Sequence, residues 1–243
     1  MQGWTAQTRR GRIARLPLRL IPSRTVVRVA RGPNRGSRWV AGSGVHGYWL
    51  GGYERQHQRL LVRLLQPGDV FFDAGAHVGF YTLLASRQVG ATGRVVAFEP
   101  NPRNLAFLRR HVALNRATNV TIVEAAVSSD VGFVQFDLSG DSAMGHVTQD
   151  DGGLRVASLS LDAWVAENGI LPTVMKIDVE GHEPPVLEGA DMTLSQGRPK
   201  VVLSVAPDSL DRCRRILEEH GYRLTPIGSE ASGTEFACLP LPQ

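Results

Sequence analysis

The densest run of reactive side chains in the 243-residue chain is Val174-Met-Lys176-Ile-Asp178-Val-Glu180-Gly-His182-Glu183. Its alternation of apolar and charged residues predicts a strand on which Lys176, Asp178 and Glu180 share one face. Charge in a buried strand is costly unless it is paired or used. One reading is structural, with Lys176 and Asp178 as an ion pair and Glu180 capping the next helix. The other is chemical. Asp178, Glu180 and His182 are candidate catalytic groups, since a neutral imidazole or a carboxylate can take a proton from a weak nucleophile. His77 and His146 are further, less well placed bases.

Three other strings end in groups suited to a ligand. The first is Phe72-Asp73-Ala-Gly75-Ala76-His77-Val-Gly79. Its glycines allow the backbone close to a bound molecule. The Gly-x-x-x-Gly spacing lacks the three-glycine dinucleotide fingerprint, and Asp73 would repel a pyrophosphate while attracting a cationic group. The second, Val95-Val-Ala-Phe-Glu99-Pro100-Asn101-Pro102, places Glu99 twenty residues beyond Gly79. An acid there can accept hydrogen bonds from both ribose hydroxyls of an adenosine-containing cofactor. The third, Val123-Glu124-Ala-Ala-Val127, offers an acid and small apolar residues where an adenine ring could lie. The bland alternatives are a packing turn and acids that only cap helices.

The elements that must position these residues alternate along the chain. Hydrophobic patterning predicts strands at 69–73, 94–99, 120–125, 173–178 and 200–205, and helices at 53–65, 79–89, 102–115, 184–194 and 209–220. A strand-like run at 133–138 precedes a polar loop at 139–153. Two final strands, 222–225 and 235–239, read as a hairpin. The β-α-β order requires parallel strands with helices on both faces. The expected fold is therefore α/β, a doubly wound, mostly parallel seven-stranded sheet with an antiparallel edge hairpin, Rossmann-like in its ligand position.

Together, Phe72-Asp-Ala-Gly-Ala-His-Val-Gly-Phe-Tyr81, Phe98-Glu-Pro-Asn-Pro102, and Met175-Lys-Ile-Asp-Val-Glu-Gly-His-Glu183 followed by Val186-Leu-Glu-Gly189 resemble the FkbM-type methyltransferases over residues 50 to 240. The resemblance implies a class I methyltransferase fold, S-adenosylmethionine bound by Asp73, Gly75 and Glu99, and O-methylation of a hydroxyl on a natural product or saccharide. It also matches the family's Tyr-Glu pair to Tyr53-Glu54. Ser204 departs from it, standing where the family often has an acid. The expected cofactor contacts are Asp73, Gly75, Ala76, His77, Gly79, Glu99, Pro100, Asn101, Glu124, Ala125 and Asp178. Proton removal from the acceptor falls to His182, Asp178 or Glu180. Two carboxylates beside a lysine make a poor cage for a hard cation, so no metal is assigned.

Composition sets the wider bounds. Residues 1–63 hold thirteen arginines and a single acid, Glu54, so a basic leader precedes an acidic remainder. The leader, 1–50, is expected to cover the pocket and 51–243 to form the methyltransferase domain. A nucleic-acid methyltransferase is the competing enzyme reading. It is disfavoured because Asp178-Val-Glu180-Gly stands where adenine methylases carry an Asn- or Asp-Pro-Pro-aromatic string. A non-catalytic cofactor-binding module is the reading outside enzymes. The Arg-rich start also has the composition of a transit peptide. Cys213 and Cys238 lack metal-type spacing and, with no apolar run long enough for a span, fit a cytoplasmic protein.

Overall fold

The computed structural model describes residues 21–137, 146–148, 153–227 and 235–242. Seven strands form the central sheet: β3 (Val70–Ala74), β4 (Arg94–Phe98), β5 (Val120–Val123), β10 (Val174–Ile177), β11 (Lys200–Ser204), β12 (Tyr222–Pro226) and β13 (Glu235–Pro240). Their order is β12-β13-β11-β10-β3-β4-β5. Every neighbouring pair is parallel except those made by β13, which runs antiparallel to both β11 and β12. The chain moves outward from β3 in one direction through β4 and β5 and in the other through β10 and β11. A crevice must therefore open at the carboxyl ends of β3 and β10.

These strands are buried on both faces, which is why they read as continuous apolar runs. Phe72, Met175, Ile177 and Leu203 face a core completed by Trp164, Val186, Leu187 and Leu217. These last residues come from α5 (Leu161–Asn168), α6 (Glu183–Glu188) and α7 (Leu210–Glu219). Phe71, Val95, Val174 and Val202 face the opposite core with Leu61, Leu83, Leu84 and Val89, supplied by α2 (Arg55–Leu64) and α3 (Phe80–Val89). The helix α4 (Pro102–Asn115) packs Leu105 and Leu108 over Ala97. Asn101 caps α4 by accepting from the Arg103 N–H at 2.9 Å, a bond that contributes about 1 kcal/mol.

Four departures from the sequence expectations have physical causes. Residues 21–50, expected to be irregular apart from a short β-like run at 25–29 that the structure forms as β1 (Val26–Arg28), also include β2 (Arg38–Val40) and α1 (Gly47–Leu50), and Val29, Trp39, Tyr48 and Trp49 lie within the α2–α3 core. Trp39 stacks on His111 of α4 at 3.8 Å, so the change of composition near residue 50 is not a break in packing. The strand-like run at 133–138 forms β7 (Gly132–Asp137), but it joins β6 (Ala126–Val127), β8 (His146–Thr148) and β9 (Leu154–Leu159) in an unforeseen second sheet of order β6-β9-β7-β8. That sheet takes up part of the expected 139–153 loop, whose other residues, apart from Gly153, lie outside the described residues. The strand expected over 120–125 stops at Val123. The helix expected over 184–194 ends at Glu188, followed by a π-helical turn, Thr193–Gly197. At Gly189 any Cβ would lie 2.2 Å from the Ser128 carbonyl oxygen, so the chain passes there only as glycine.

Candidate active site

An open cavity occupies the crevice at the strand ends, where a doubly wound sheet places its ligand. Gly75, Ala76 and His77 after β3, Phe98, Glu99 and Pro100 after β4, and Lys176, Asp178, Glu180 and His182 from β10 onward line it. Ala126, Val127, Phe136 and Val147 of the small sheet close one side, and Tyr48, Tyr53, Phe80 and Tyr81 the other. Among the described residues no group of three or more His, Cys, Asp or Glu is arranged to hold a metal.

The glycine turn is stitched to the end of β4. The Gly75 and Ala76 N–H groups both donate to the Phe98 carbonyl, at 3.1 and 3.0 Å, and the His77 N–H donates to Glu99 Oε2 at 2.7 Å. Gly75 has φ +80°, and a Cβ there would come within 1.9 Å of the Asp178 carbonyl oxygen. Its lack of a side chain is thus what lets the turns after β3 and β10 touch. His77 and Glu180 also have left-handed backbone, φ 51° and 54°, and both line the cavity. Strained backbone of this kind collects at functional sites.

Glu99 is 4% exposed. Oε1 accepts from the Asn101 N–H at 2.9 Å and from Asn104 Nδ2 at 3.3 Å. Burial pushes its carboxyl up to about 7, against the pull of the Asn101, His77 and Asn104 donors. Three donors on a group with about four acceptor sites leave capacity for a ligand hydroxyl.

Lys176 is 3% exposed and donates to Asp178 Oδ2 at 2.8 Å, with its ammonium 5.1 Å from the Tyr81 ring centre. Burial works against its charge, but Asp178 and Asp73 outweigh it and raise its pKa. Asp73 is the register partner of Lys176 on β3. It is fully buried, accepts from the Thr82 hydroxyl at 2.6 Å, and its other oxygen, Oδ1, has no hydrogen-bond partner among the described residues. Burial raises the Asp73 carboxyl despite Lys176 and Thr82.

His182 follows Gly181 as the N-cap of α6, and its Nε2 lies 2.9 Å from Ser128 Oγ. Burial lowers its pKa, with Glu188 opposing, which favours the neutral ring. Glu180 is exposed at the mouth. Burial and repulsion from Asp178 and Glu183 push its carboxyl up.

The structure thus brings Gly75, Ala76, His77, Glu99, Pro100, Asp178, Glu180 and His182 to one cavity and leaves out five residues expected as cofactor contacts. Asp73 shares a register with Lys176, but its shorter side chain stops beneath the floor. Gly79 has φ +90° and starts α3 without lining the cavity. Asn101 is spent on the α4 cap and on Glu99. Glu124 points away to pair with Arg109 on α4. Ala125 is buried outside the lining, while Ala126 and Val127 of the same expected string line the cavity. His146 is exposed on β8, and its neighbour Val147 reaches the cavity. Ser204 stands outside the lining, with Glu235 as its cross-strand partner. Ser128, Phe136 and Val147 come to the site through the second sheet or its edge, which the sequence pattern does not reveal. Lys176, which shares a strand face with Asp178 and Glu180, lines the cavity as well as pairing with Asp178.

The strand order and the cavity at its reversal define a class I methyltransferase fold. The FkbM methyltransferase from Methylobacillus flagellatus KT shares it at a TM-score of 0.52 and 22% identity, over 71% of this chain and 43% of that one. Residues 73–224 match the methyltransferase FkbM domain, and the chain belongs to that family. It is 33% identical to the hexuronic acid methyltransferase AglP of Haloferax volcanii over 134 residues, 54% of either chain. It is 30% identical to the 31-O-demethyl-FK506 methyltransferase FkbM of Streptomyces tacrolimicus over 162 residues, 52% of this chain and 61% of that protein. The chain therefore spans between half and two thirds of the length of these curated relatives.

Proposed function

We propose that this chain is an S-adenosylmethionine-dependent O-methyltransferase acting on a hydroxyl of a small molecule, natural product or saccharide. The observation that carries the reading is one cavity at the ends of β3, β4 and β10 lined by the buried Glu99 carboxyl and the His182 imidazole. The residues suit the cofactor. Glu99 accepts the ribose hydroxyls, the apolar Phe98, Pro100, Ala126 and Val127 receive the adenine, and Asp178 with the Gly75–His77 turn receives the amino-acid end. Asp73, Gly79 and Asn101 support these contacts from behind. When bound, the cofactor supplies an electrophilic methyl group, whose bond to sulfur breaks with its electron pair on sulfur as the bond to the acceptor oxygen forms.

The protein's share is alignment and proton removal. The aromatic wall from Tyr48, Tyr53, Phe80 and Tyr81 excludes water and bounds the acceptor's volume. His182 takes the hydroxyl proton, and Lys176 holds Asp178 in place. The names of the two relatives, a hexuronic acid methyltransferase and a 31-O-demethyl-FK506 methyltransferase, support a saccharide or natural-product hydroxyl as the acceptor. Incubation with methyl-labelled cofactor and a panel of uronic acids, neutral saccharides and polyketide alcohols, read by mass spectrometry, tests this. A mass gain on nitrogen or carbon acceptors alone would reject O-methylation.

A further inference from the structure

His182 can act as a base only if the nitrogen that meets the acceptor carries a lone pair. Its two nitrogens are placed differently. Nε2 is 2.9 Å from Ser128 Oγ, whereas Nδ1 has no hydrogen bond among the described residues, on a residue that lines the cavity. Ser128 is itself fixed. It is buried just after β6, its N–H donates to the Leu159 carbonyl at 2.8 Å, and its own carbonyl lies against Gly189. That glycine ends α6, the helix His182 begins. Ser128 and His182 are thus tied to each other twice, through the Oγ–Nε2 bond and through the packing of Ser128 on the far end of the same helix.

We propose that Ser128 is a positioning residue that fixes the His182 ring with Nε2–H donated to Ser128 Oγ and the Nδ1 lone pair facing the acceptor hydroxyl. A neutral imidazole has one N–H and one lone pair, so placing the hydrogen on one nitrogen decides where the base is. With the hydrogen on Nε2, the proton leaving the acceptor hydroxyl passes to Nδ1. The imidazolium then keeps its Nε2–H bond to Ser128 and returns the Nδ1 proton to water. With the opposite tautomer, an N–H would face the acceptor and no proton could be taken. A serine hydroxyl serves here because it can accept from Nε2–H without bringing a charge into the buried corner.

The inference rests on the methyl-transfer reading, and its test separates the two. Nitrogen-15 NMR of histidine-labelled protein with S-adenosylhomocysteine, above neutral pH, reports the tautomer of His182, assigned by its loss in His182→Gln. An Nε2–H tautomer is expected, and an Nδ1–H tautomer in the unmodified protein would overturn the proposal whatever the activity. Ser128→Ala should mix the tautomers and lower kcat by roughly 10- to 100-fold, the loss seen when a working histidine loses its orienting partner. Ser128→Thr, which keeps the hydroxyl, should restore both. A Ser128→Ala protein with an unchanged tautomer and unchanged kcat would also overturn it. Should Ser128→Ala fail to fold, the tautomer of the unmodified protein and the Thr variant decide. Absence of methyl transfer alongside an intact Nε2–H tautomer counts against the enzymatic reading instead.

Discussion

Cofactor affinity should depend on pH through Glu99. Burial pushes this carboxyl up to about 7 in the cofactor-free protein, yet ribose hydroxyls bind best to its ionised form. If binding needs that form, affinity follows the ionised fraction. At pH 6, one unit below, about a tenth of the protein is ionised, and the dissociation constant for S-adenosylhomocysteine should be about tenfold weaker than at pH 8, or about 1.4 kcal/mol. The same shift acts on stability. The folded carboxyl has a raised pKa, so the folded state binds the proton more tightly than the unfolded chain. The cofactor-free protein therefore loses stability as pH rises from about 4.5 to about 7, by about 3 kcal/mol in all. Calorimetry at constant ionic strength from pH 5.5 to 8 measures the first effect and urea unfolding the second. Glu99→Gln should flatten both profiles and weaken binding by about 1.5 to 3 kcal/mol. Equal affinity at pH 5.5 and 8 in the unmodified protein would refute the reasoning and leave Glu99 as an anchor for the glycine turn.

Other substitutions probe the supports of the cavity. Gly75→Ala puts a Cβ against the Asp178 carbonyl and a side chain at φ +80°; it should cost at least about 1 to 2 kcal/mol in urea unfolding and weaken cofactor binding as well. Lys176→Met removes the ammonium bonded to Asp178, whose charge also acts on the buried Asp73, and should destabilise by about 3 to 5 kcal/mol, with part of the loss recovered by adding Asp178→Asn. A silent Lys176→Met would show that the acids beside it are neutral. His182→Ala should lower turnover by about 10²- to 10⁴-fold while S-adenosylhomocysteine affinity, by calorimetry, stays near that of the unmodified protein. Activity should also persist in EDTA, and its loss there with recovery on Mg²⁺ would make Asp178 and Glu180 the ligands to test.

Strand ends were legible in the sequence because a strand buried on both faces announces itself as an apolar run, and a polar residue closing such a run stands out. Glu99 and the Lys176 to His182 string were visible for that reason. What period-2 patterning does not give is reach. Asp73 and Lys176 occupy equivalent register positions on adjacent parallel strands, so alternation assigns them alike, yet only the four-carbon stem of the lysine extends to the cavity. Nor does it give a strand's last residue. One residue's difference at Val123 turns Glu124 from a floor group into the partner of Arg109.

The small sheet was hidden for a different reason. β6 has two residues and β8 three, too few for any period, and β9 was passed over although Leu154-Arg-Val-Ala-Ser-Leu159 alternates in burial over its middle residues. Its consequence is chemical as well as topological. Ala126 and Val127 line the cavity and Ser128 follows directly, so the segment that supplies an apolar wall of the cavity also delivers the hydroxyl that meets His182. Because β6 is held by β9 through parallel pairing of Ala126 with Ser158 and Val127 with Leu159, the His182 ring is oriented by a sheet separate from the one that carries Glu99. Cofactor affinity and the geometry of proton removal therefore rest on different parts of the fold. Substitutions in β9 that loosen β6 should reach turnover through His182 before they reach the ribose contact.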